Sequence, residues 1–355
     1  MKQPQVDQLS DTSFHPVQKL HICIYFLLFS IAVLVAHCSS PGSPDRQSVH
    51  FSIAPVTTAQ RVPDDLLIEV HDDGGFYDAQ SVNNPSSNGN VFFRLPRGYY
   101  YVDVSGTFNG IKTLYGFSEC DASSDKAAAY VVLRNIVSIP IISGDQENIF
   151  LQDNRPSPIW DGFPQESTAR CFTSTNAVIM RTTVVTSYSH IYLRAIVDDV
   201  DEFIEDRPLV SGELNSDAAI FYFCKIAPHN LSMQNPPYPV VRVQCETGRT
   251  IPENGKLLYE NLINSDNISQ TIRESKNDDI TAYLTRDGTT RILELRLRRA
   301  LLALPANVEG EPPTALVIRY RNGNTEEFSD WQSGNSFSNP LQNPVSWGYM
   351  EILQE

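Results

Sequence analysis

The chain has 355 residues and a formal net charge of −15, and 41% of its residues are hydrophobic while 19% are charged. This composition is typical of globular proteins and excludes an intrinsically disordered chain. The acidic balance argues against nucleic acid and anionic lipid as electrostatic partners, because both are bound through basic patches.

An apolar segment, residues 22–36, follows Lys2 and Lys19 near the start of the chain. A basic start, a short apolar core and an exit of small residues are typical of secretory signals. As a helix the segment would reach about 22 Å, less than the hydrocarbon core of a bilayer at ~30 Å. Residues 1–37 are therefore predicted to be a signal peptide or a membrane anchor.

The sequence Leu34-Val35-Ala36-His37-Cys38 resembles the lipobox of bacterial lipoproteins. His37 departs from the Gly, Ala or Ser that this family carries before its cysteine. The resemblance implies that Cys38 is lipidated and that the membrane is a partner through the N-terminus. It also implies a place in the cell envelope, at the outer membrane or cell surface. An ordinary cleaved signal and an uncleaved anchor are the alternatives, and both export the rest of the chain.

Residues 38–65 are rich in Ser, Pro and Thr and show little periodicity, so we predict a flexible tether. From residue 66 the pattern alternates with period two, which indicates half-buried strands. Asn109-Gly110, between two apolar runs, is a strong hairpin signal. We predict a first β-sandwich domain over residues 66–145.

The sequence VFFRLPRGYYYVDVSG, residues 91–106, resembles a strand, Leu-Pro-x-Gly-Tyr, strand unit. That unit occurs in prealbumin-like modules, among them the regulatory domains of some carboxypeptidases. The resemblance covers residues 66–117 and implies a non-catalytic β-sandwich. Its aromatic run, Tyr99 to Tyr101, could provide a surface for stacking sugars or for a partner, although alternation must send part of it into the core.

Residues 146–169 have a loop-like composition and are predicted to be a linker to a second β-rich domain over residues 170–355. Hairpin turns are predicted at Asp287-Gly288 and Asn322-Gly323, and one helix within residues 256–276. The fold class is therefore predicted to be all-β, with two or more antiparallel β-sandwich domains after the N-terminal segment and the tether.

Four cysteines follow Cys38, and an exported chain favours pairing them as disulfides. Alternation places Cys224 and Cys245 on the apolar sides of two neighbouring strands. We therefore predict a Cys224–Cys245 bridge and, by elimination, a Cys120–Cys171 bridge. Four buried free thiols are the alternative.

The motifs GxSxG, HExxH and CxxC are all absent. Residues 123–126 match SxxK and residues 265–267 match SDN, but KTG is absent and Ser123 precedes a predicted strand and not a helix, so these matches do not indicate a penicillin-recognising enzyme. We therefore name no catalytic residue and no cofactor. The densest charge cluster is the acidic run over residues 198–206, which is either a solvated loop or a calcium site. The candidate calcium ligands are Asp198, Asp199, Asp201 and Glu202.

These features predict an exported, lipid-anchored protein with a structural or interaction role, non-catalytic and binding a protein or a glycan. The alternative is a hydrolase of envelope or extracellular polymers that uses acidic residues of the second domain. It would bring part of the acidic run into one cleft with His190 or His229. A third hypothesis is a lipoprotein that binds calcium or a small ligand.

Overall fold

The computed structural model describes the chain in the following ranges: 49–57, 63–83, 85, 90–123, 127–150, 160, 162–163, 167–199, 201–205, 214–226, 228, 240–249, 257–262, 279–302, 304, 313–332 and 346–353. The predicted signal or anchor (1–37) and the predicted lipidation site Cys38 lie outside these ranges. Among the helices within them, none has the length and apolar character needed to cross a bilayer.

Strands make up most of the described chain, and the all-β prediction is confirmed. The strands are β1 (Val49–Thr57), β2 (Asp65–Asp72), β3 (Gly75–Asn83), β4 (Val91–Leu95), β5 (Tyr99–Phe108), β6 (Ile111–Asp121), β7 (Ala128–Ile139), β8 (Thr168–Phe172), β9 (Val178–Thr186), β10 (His190–Val197), β11 (Ala218–Cys224), β12 (Val240–Glu246), β13 (Leu257–Leu262), β14 (Ile280–Asp287), β15 (Thr290–Arg298), β16 (Thr314–Asn322), β17 (Glu327–Asp330) and β18 (Gly348–Ile352). A short helix, α1 (Gly144–Phe150), follows β7, and a 3₁₀ turn (Arg299–Leu302) follows β15.

The strands form two sheets. The larger has the order β13-β12-β11-β16-β18-β7-β6-β5-β2-β3, with β17 on β16 and with β1 joining β4 to β7. The smaller has the order β14-β15-β10-β9-β8. Most pairs are antiparallel, as predicted, but β7 pairs in parallel with both β1 and β18.

A first core lies between β2, β5 and β6 on one side and β4 and β7 on the other. Alternate residues of each strand point into it, including Ile68, Val102 and Val131, which have no exposed surface. Full burial of such a side chain stabilises the fold by about 1.5–3 kcal/mol. The opposite side of β2, β5 and β6 faces outward.

A second core lies between β11, β12 and β16 of the larger sheet and the five strands of the smaller one. Phe221 and Phe223 of β11 lie in this core, whereas Ile220 and Tyr222 lie in a separate cluster on the other face of the same strand. Strand β11 is thus buried on both faces. Its sequence accordingly reads as a continuous apolar run.

Residues 49–355 form one compact unit by their contacts. Strand β7 takes part in both cores, with Val131 and Leu133 in the first and Val137 and Ile139 in the second. The predicted division into domains at residues 146–169 stays a prediction.

Two local predictions were wrong. Residues 49–57, placed in the tether, form β1, which pairs with β4 and β7 along its backbone. Residues 257–262, placed in a helix, form β13, which pairs with β12 from Leu257 to Leu262. In both cases long-range strand pairing overrides a weak local pattern.

The three predicted hairpins are present. Asn109 and Gly110 both have positive φ, 52° and 76°, and join β5 to β6, as a two-residue type I′ turn requires. Gly288, with φ of 61°, lies in the turn between β14 and β15. The third turn is longer than predicted, because Asn322 pairs with Glu327.

The structure corrects the prediction of two disulfides. All four described cysteines are buried free thiols. The register pairs Cys224 with Val240 and Cys245 with Ala219, so the two cysteines lie about 17 Å apart along the strands. They also point to opposite faces of the sheet. Cys120 lies in the first core and Cys171 in the second. The separation of Cys224 and Cys245 exceeds the ~7 Å between Cα atoms that a bridge allows, and Cys120 and Cys171 belong to different cores.

Candidate functional site

The outward side of β3, β2, β5 and β6 carries a row of aromatic side chains. Strand pairing sets Phe76 opposite His71, His71 opposite Tyr101, and Asp103 opposite Phe117. Three strand spacings of ~4.8 Å give the row a width of about 14 Å. We call this surface the aromatic face, defined by His71, Phe76, Tyr99, Tyr101 and Phe117.

The rings of the aromatic face contact one another. Tyr101 and Phe117 are stacked, with ring centroids 6.0 Å apart and planes inclined by 28°. Tyr99 meets Tyr101 edge-on at 5.7 Å, and Phe76 meets His71 edge-on at 5.8 Å. Phe76 keeps 63% and Tyr99 45% of their surface exposed. The face is therefore a preformed aromatic surface open to solvent.

Carboxylates lie between these rings, and tyrosine hydroxyls orient two of them. The hydroxyl of Tyr99 donates a hydrogen bond to Glu119, which raises the pKa of Tyr99 to about 12. The hydroxyl of Tyr115 donates to Asp103, and burial together with this carboxylate raises the pKa of Tyr115. His71 Nε2 lies 3.4 Å from Asp103 Oδ2. Both tyrosines therefore stay protonated as donors at neutral pH.

The prediction for the run Tyr99 to Tyr101 agrees with this arrangement. Tyr100 is buried and donates a hydrogen bond to the Pro96 carbonyl at 2.8 Å, while Tyr99 and Tyr101 point outward. The sequence did not identify Phe117 or Phe76 as their neighbours. Counting from the Asn109-Gly110 turn would not have found Phe117, because the register of β5 and β6 shifts between Gly106 and Thr107. Phe76 was missed because the sequence of β3 does not alternate.

Three of the four candidate calcium ligands, Asp198, Asp199 and Glu202, pair with donors of the protein. Asp198 pairs with Arg181 at 3.0 Å, and Glu202 pairs with Arg286 at 2.7 Å. Asp199 is buried and accepts hydrogen bonds from Tyr320, Asn322 and the Asp201 backbone N–H. Donors thus occupy the oxygens that a calcium ion would need. Over the described ranges, no group of three or more His, Cys, Asp or Glu side chains is arranged to hold a metal ion.

The cleft expected for a hydrolase does not form between His190 and the acidic run. His190 begins β10 and Asp198 follows its end, so about 26 Å of strand separates them. His229 and Asp206 lie outside the described residues.

His190 instead lies in a cluster around Glu147 of α1. Oε1 of Glu147 accepts hydrogen bonds from Tyr192 at 2.8 Å, Ser187 at 3.0 Å and Ser189 at 3.2 Å. Nδ1 of His190 lies 2.7 Å from Ser189 Oγ and 3.2 Å from Glu147 Oε1. In a Ser-His-acid triad the nucleophile and the acid bind different ring nitrogens. Because both partners here meet Nδ1, the cluster does not have triad geometry.

No protein-family model matches the chain, and no curated protein matches it. Among solved structures, a candidate carbohydrate-binding protein from Bacteroides uniformis is similar at 8% identity, with a TM-score of 0.38 over 62% of this chain and 100% of the other. A family 9 carbohydrate-binding module from Caldicellulosiruptor kristjanssonii, in complex with cellotriose, is similar at 10% identity, with a TM-score of 0.40 over 61% of this chain and 93% of the module. The glucose complex of such a module gives 12% identity and a TM-score of 0.36 over 62% and 95% of the two chains. At these values the ligands of those proteins are not carried over to this chain.

Proposed function

We propose that the protein is a non-catalytic, glycan-binding protein of the cell envelope and that its ligand lies on the aromatic face. The observation that carries this proposal is the stacked pair Tyr101 and Phe117, flanked by Tyr99 and Phe76, on the outward side of a sheet. Contiguous exposed apolar surface on a soluble protein marks an interaction site.

The chemistry of the face matches that of a sugar. A pyranose ring has a C–H face that is apolar and a rim of hydroxyls. The rings of Tyr101 and Phe117 offer a surface for the C–H face, and Asp103 and Glu119 offer carboxylate acceptors for the hydroxyls. The hydrogen bonds from Tyr115 and Tyr99 hold these carboxylates in place, so little ordering is needed on binding.

The same face fits a protein partner less well. The cores of protein interfaces are depleted in charged residues. Here Asp103 lies directly opposite Phe117, and Glu119 directly opposite Tyr101, so carboxylates alternate with the rings across the centre of the surface. This alternation favours a ligand that presents apolar and hydroxyl groups in equal measure.

The envelope part of the proposal rests on the sequence Leu34-Val35-Ala36-His37-Cys38 and the apolar segment before it. The intact mass of the protein isolated from its native membrane tests it. We expect a chain that begins at Cys38 and carries a diacylglyceryl group. A mass that retains residues 1–37 would contradict lipidation of Cys38. It would not affect the proposal that the aromatic face binds a glycan.

The binding proposal is tested by applying the full chain to an array of poly- and oligosaccharides. The affinity for each sugar that binds is then measured by calorimetry. Tyr101→Ala and Phe117→Ala should each weaken binding about tenfold, because each removes a stacking ring. The matched control is Tyr130→Ala, an exposed tyrosine of β7 on the opposite side of the first core. Folded wild-type protein that binds no glycan, or a Tyr101→Ala variant with unchanged affinity, would refute the proposal.

A further inference from the structure

The aromatic face is strongly acidic. Strands β2, β3, β5 and β6 contain one lysine, Lys112, and no arginine. The carboxylates of these strands that share the outward side with Tyr101 are Asp65, Glu69, Asp103, Glu119 and Asp121. A surface of this kind repels uronate or sulfate groups and attracts a positive charge.

The acidic side chains are placed next to the rings. Glu69 lies directly opposite Asp103 in the pairing of β2 with β5. Like charges directly opposite one another destabilise a sheet, and a cation bound between them relieves that cost. Asp103 in turn lies opposite Phe117, and the neighbouring Tyr101 stacks on that ring. Carboxylates beside aromatic faces provide the two attractions that an ammonium group requires.

Few protein cations are available to neutralise these carboxylates. Lys112 lies at the far end of the face, 5.0 Å from the centre of the Tyr115 ring, and pairs with Glu351 at 2.8 Å. Within strands β2, β3, β5 and β6, His71 is the other basic side chain, and its Nε2 lies 3.4 Å from Asp103 Oδ2. Glu69 and Glu119 lie on the same side of the sheet, and no cation of the described residues pairs with either of them, although Glu119 accepts a hydrogen bond from Tyr99.

We infer that the aromatic face selects glycans that carry free amino groups, such as oligomers of glucosamine, over N-acetylated and acidic glycans. This inference rests on the proposed function, since it assumes that the face binds a sugar. The ammonium group would lie near Glu69 and Asp103, while the C–H face of its ring stacks on Tyr101 and Phe117.

The test compares three probes on the full chain by calorimetry at pH 7 and physiological salt, which screens distant charges. The probes are a glucosamine oligosaccharide, the N-acetylglucosamine oligosaccharide of the same length, and an oligogalacturonate. We expect the glucosamine oligomer to bind about fivefold more tightly than its N-acetylated counterpart, and the galacturonate not to bind.

The variant Glu69→Gln should remove most of the preference for the amine and leave the affinity for the N-acetylated oligomer unchanged. Asp103→Asn should weaken the binding of both oligomers, because Asp103 also accepts the sugar hydroxyls and is held by Tyr115. Asp279→Asn removes one negative charge next to Arg298 on the smaller sheet and should change no affinity. That control separates recognition at the face from attraction to the net charge of the chain.

Two results would overturn the inference. Equal affinities for the aminated and acetylated oligomers, unaffected by Glu69→Gln, would refute amine selection while the proposed function stands. An absence of binding by every sugar tested, with the protein folded, would refute both.

Discussion

Arg291 Nη1 lies 3.2 Å from Asp217 Oδ2, and both side chains are buried. The same carboxylate accepts hydrogen bonds from the backbone N–H groups of Phe203 at 3.0 Å and Gly323 at 2.8 Å. It thereby joins β15 to the acidic loop and to the turn after β16. Phe203 of the acidic run is thus anchored to Asp217, and Asp199, the buried carboxylate among the described residues of the run, accepts hydrogen bonds from Tyr320 and Asn322.

Asp217→Asn should destabilise the protein by about 3–5 kcal/mol, because it leaves the buried Arg291 without its counter-charge. Urea denaturation at pH 7 measures the loss. The control is Asp198→Asn, which breaks an exposed pair with Arg181 and should cost at most ~1 kcal/mol. Similar losses for the two variants would contradict the structural role of Asp217.

Period-two patterns and turn residues predicted the fold class and the three hairpins, because both signals are local. They did not predict register. Alternation placed Cys224 and Cys245 correctly within their own strands, but the pairing of Cys224 with Val240 sends them to opposite faces. Strand β11 is apolar on both faces, so its sequence does not predict which face packs against which core.

Only the local part of the candidate site was predicted, because the sequence gives alternation within a strand but not the register between strands. The outward direction of Tyr99 and Tyr101 follows from alternation within one strand. Their contact with Phe117 and the opposition of Glu69 and Asp103 depend on neighbouring strands and on an irregularity at Gly106. Phe76 was missed because β3 has an exposed, polar sequence without alternation.

The four described cysteines should behave as buried thiols. Burial raises the pKa of the Cys120 thiol to about 12 and raises the pKa of Cys245 as well, so each is protonated and slow to react at neutral pH. Iodoacetamide should modify Cys120, Cys171, Cys224 and Cys245 only after unfolding, as read by peptide mapping. A reducing agent should leave the melting temperature unchanged. Disulfide-linked peptides from the native protein would contradict the structure.

Three glycines should differ in their tolerance of alanine. A Cβ at Gly116 would lie 2.6 Å from Val131 Cγ1 and 2.8 Å from the Val132 carbonyl oxygen, so Gly116→Ala should cost about 1–3 kcal/mol through overpacking. Gly110 has open space but φ of 76°, so Gly110→Ala should cost about 1 kcal/mol through backbone strain. Gly144, with open space and no such φ, is the control and should tolerate alanine. Thermal denaturation gives the ranking, and a neutral Gly116→Ala would contradict the close contact of β6 with β7.

Glu147 should make stability depend on pH in the acid range. Burial alone would raise its pKa, but hydrogen bonds from Tyr192, Ser187, Ser189 and His190 outweigh burial and hold the pKa of Glu147 below its ordinary value. A carboxyl whose pKa is lower in the folded state binds its proton more readily when unfolded. Its contribution is therefore present above the unfolded pKa, ~4.3, and is lost as the pH falls through the folded value.

Glu147→Gln should accordingly lower the free energy of unfolding at pH 7, and the difference from the wild type should shrink as the pH is lowered from 7 to 3. Urea denaturation at a series of pH values measures that difference. Asp121→Asn, which changes an exposed carboxylate at the end of β6, is the control and should give a small difference at neutral pH. A Glu147→Gln difference that stays constant over the whole range would show that the cluster around Glu147 holds α1 by packing and not by the charge of its carboxylate.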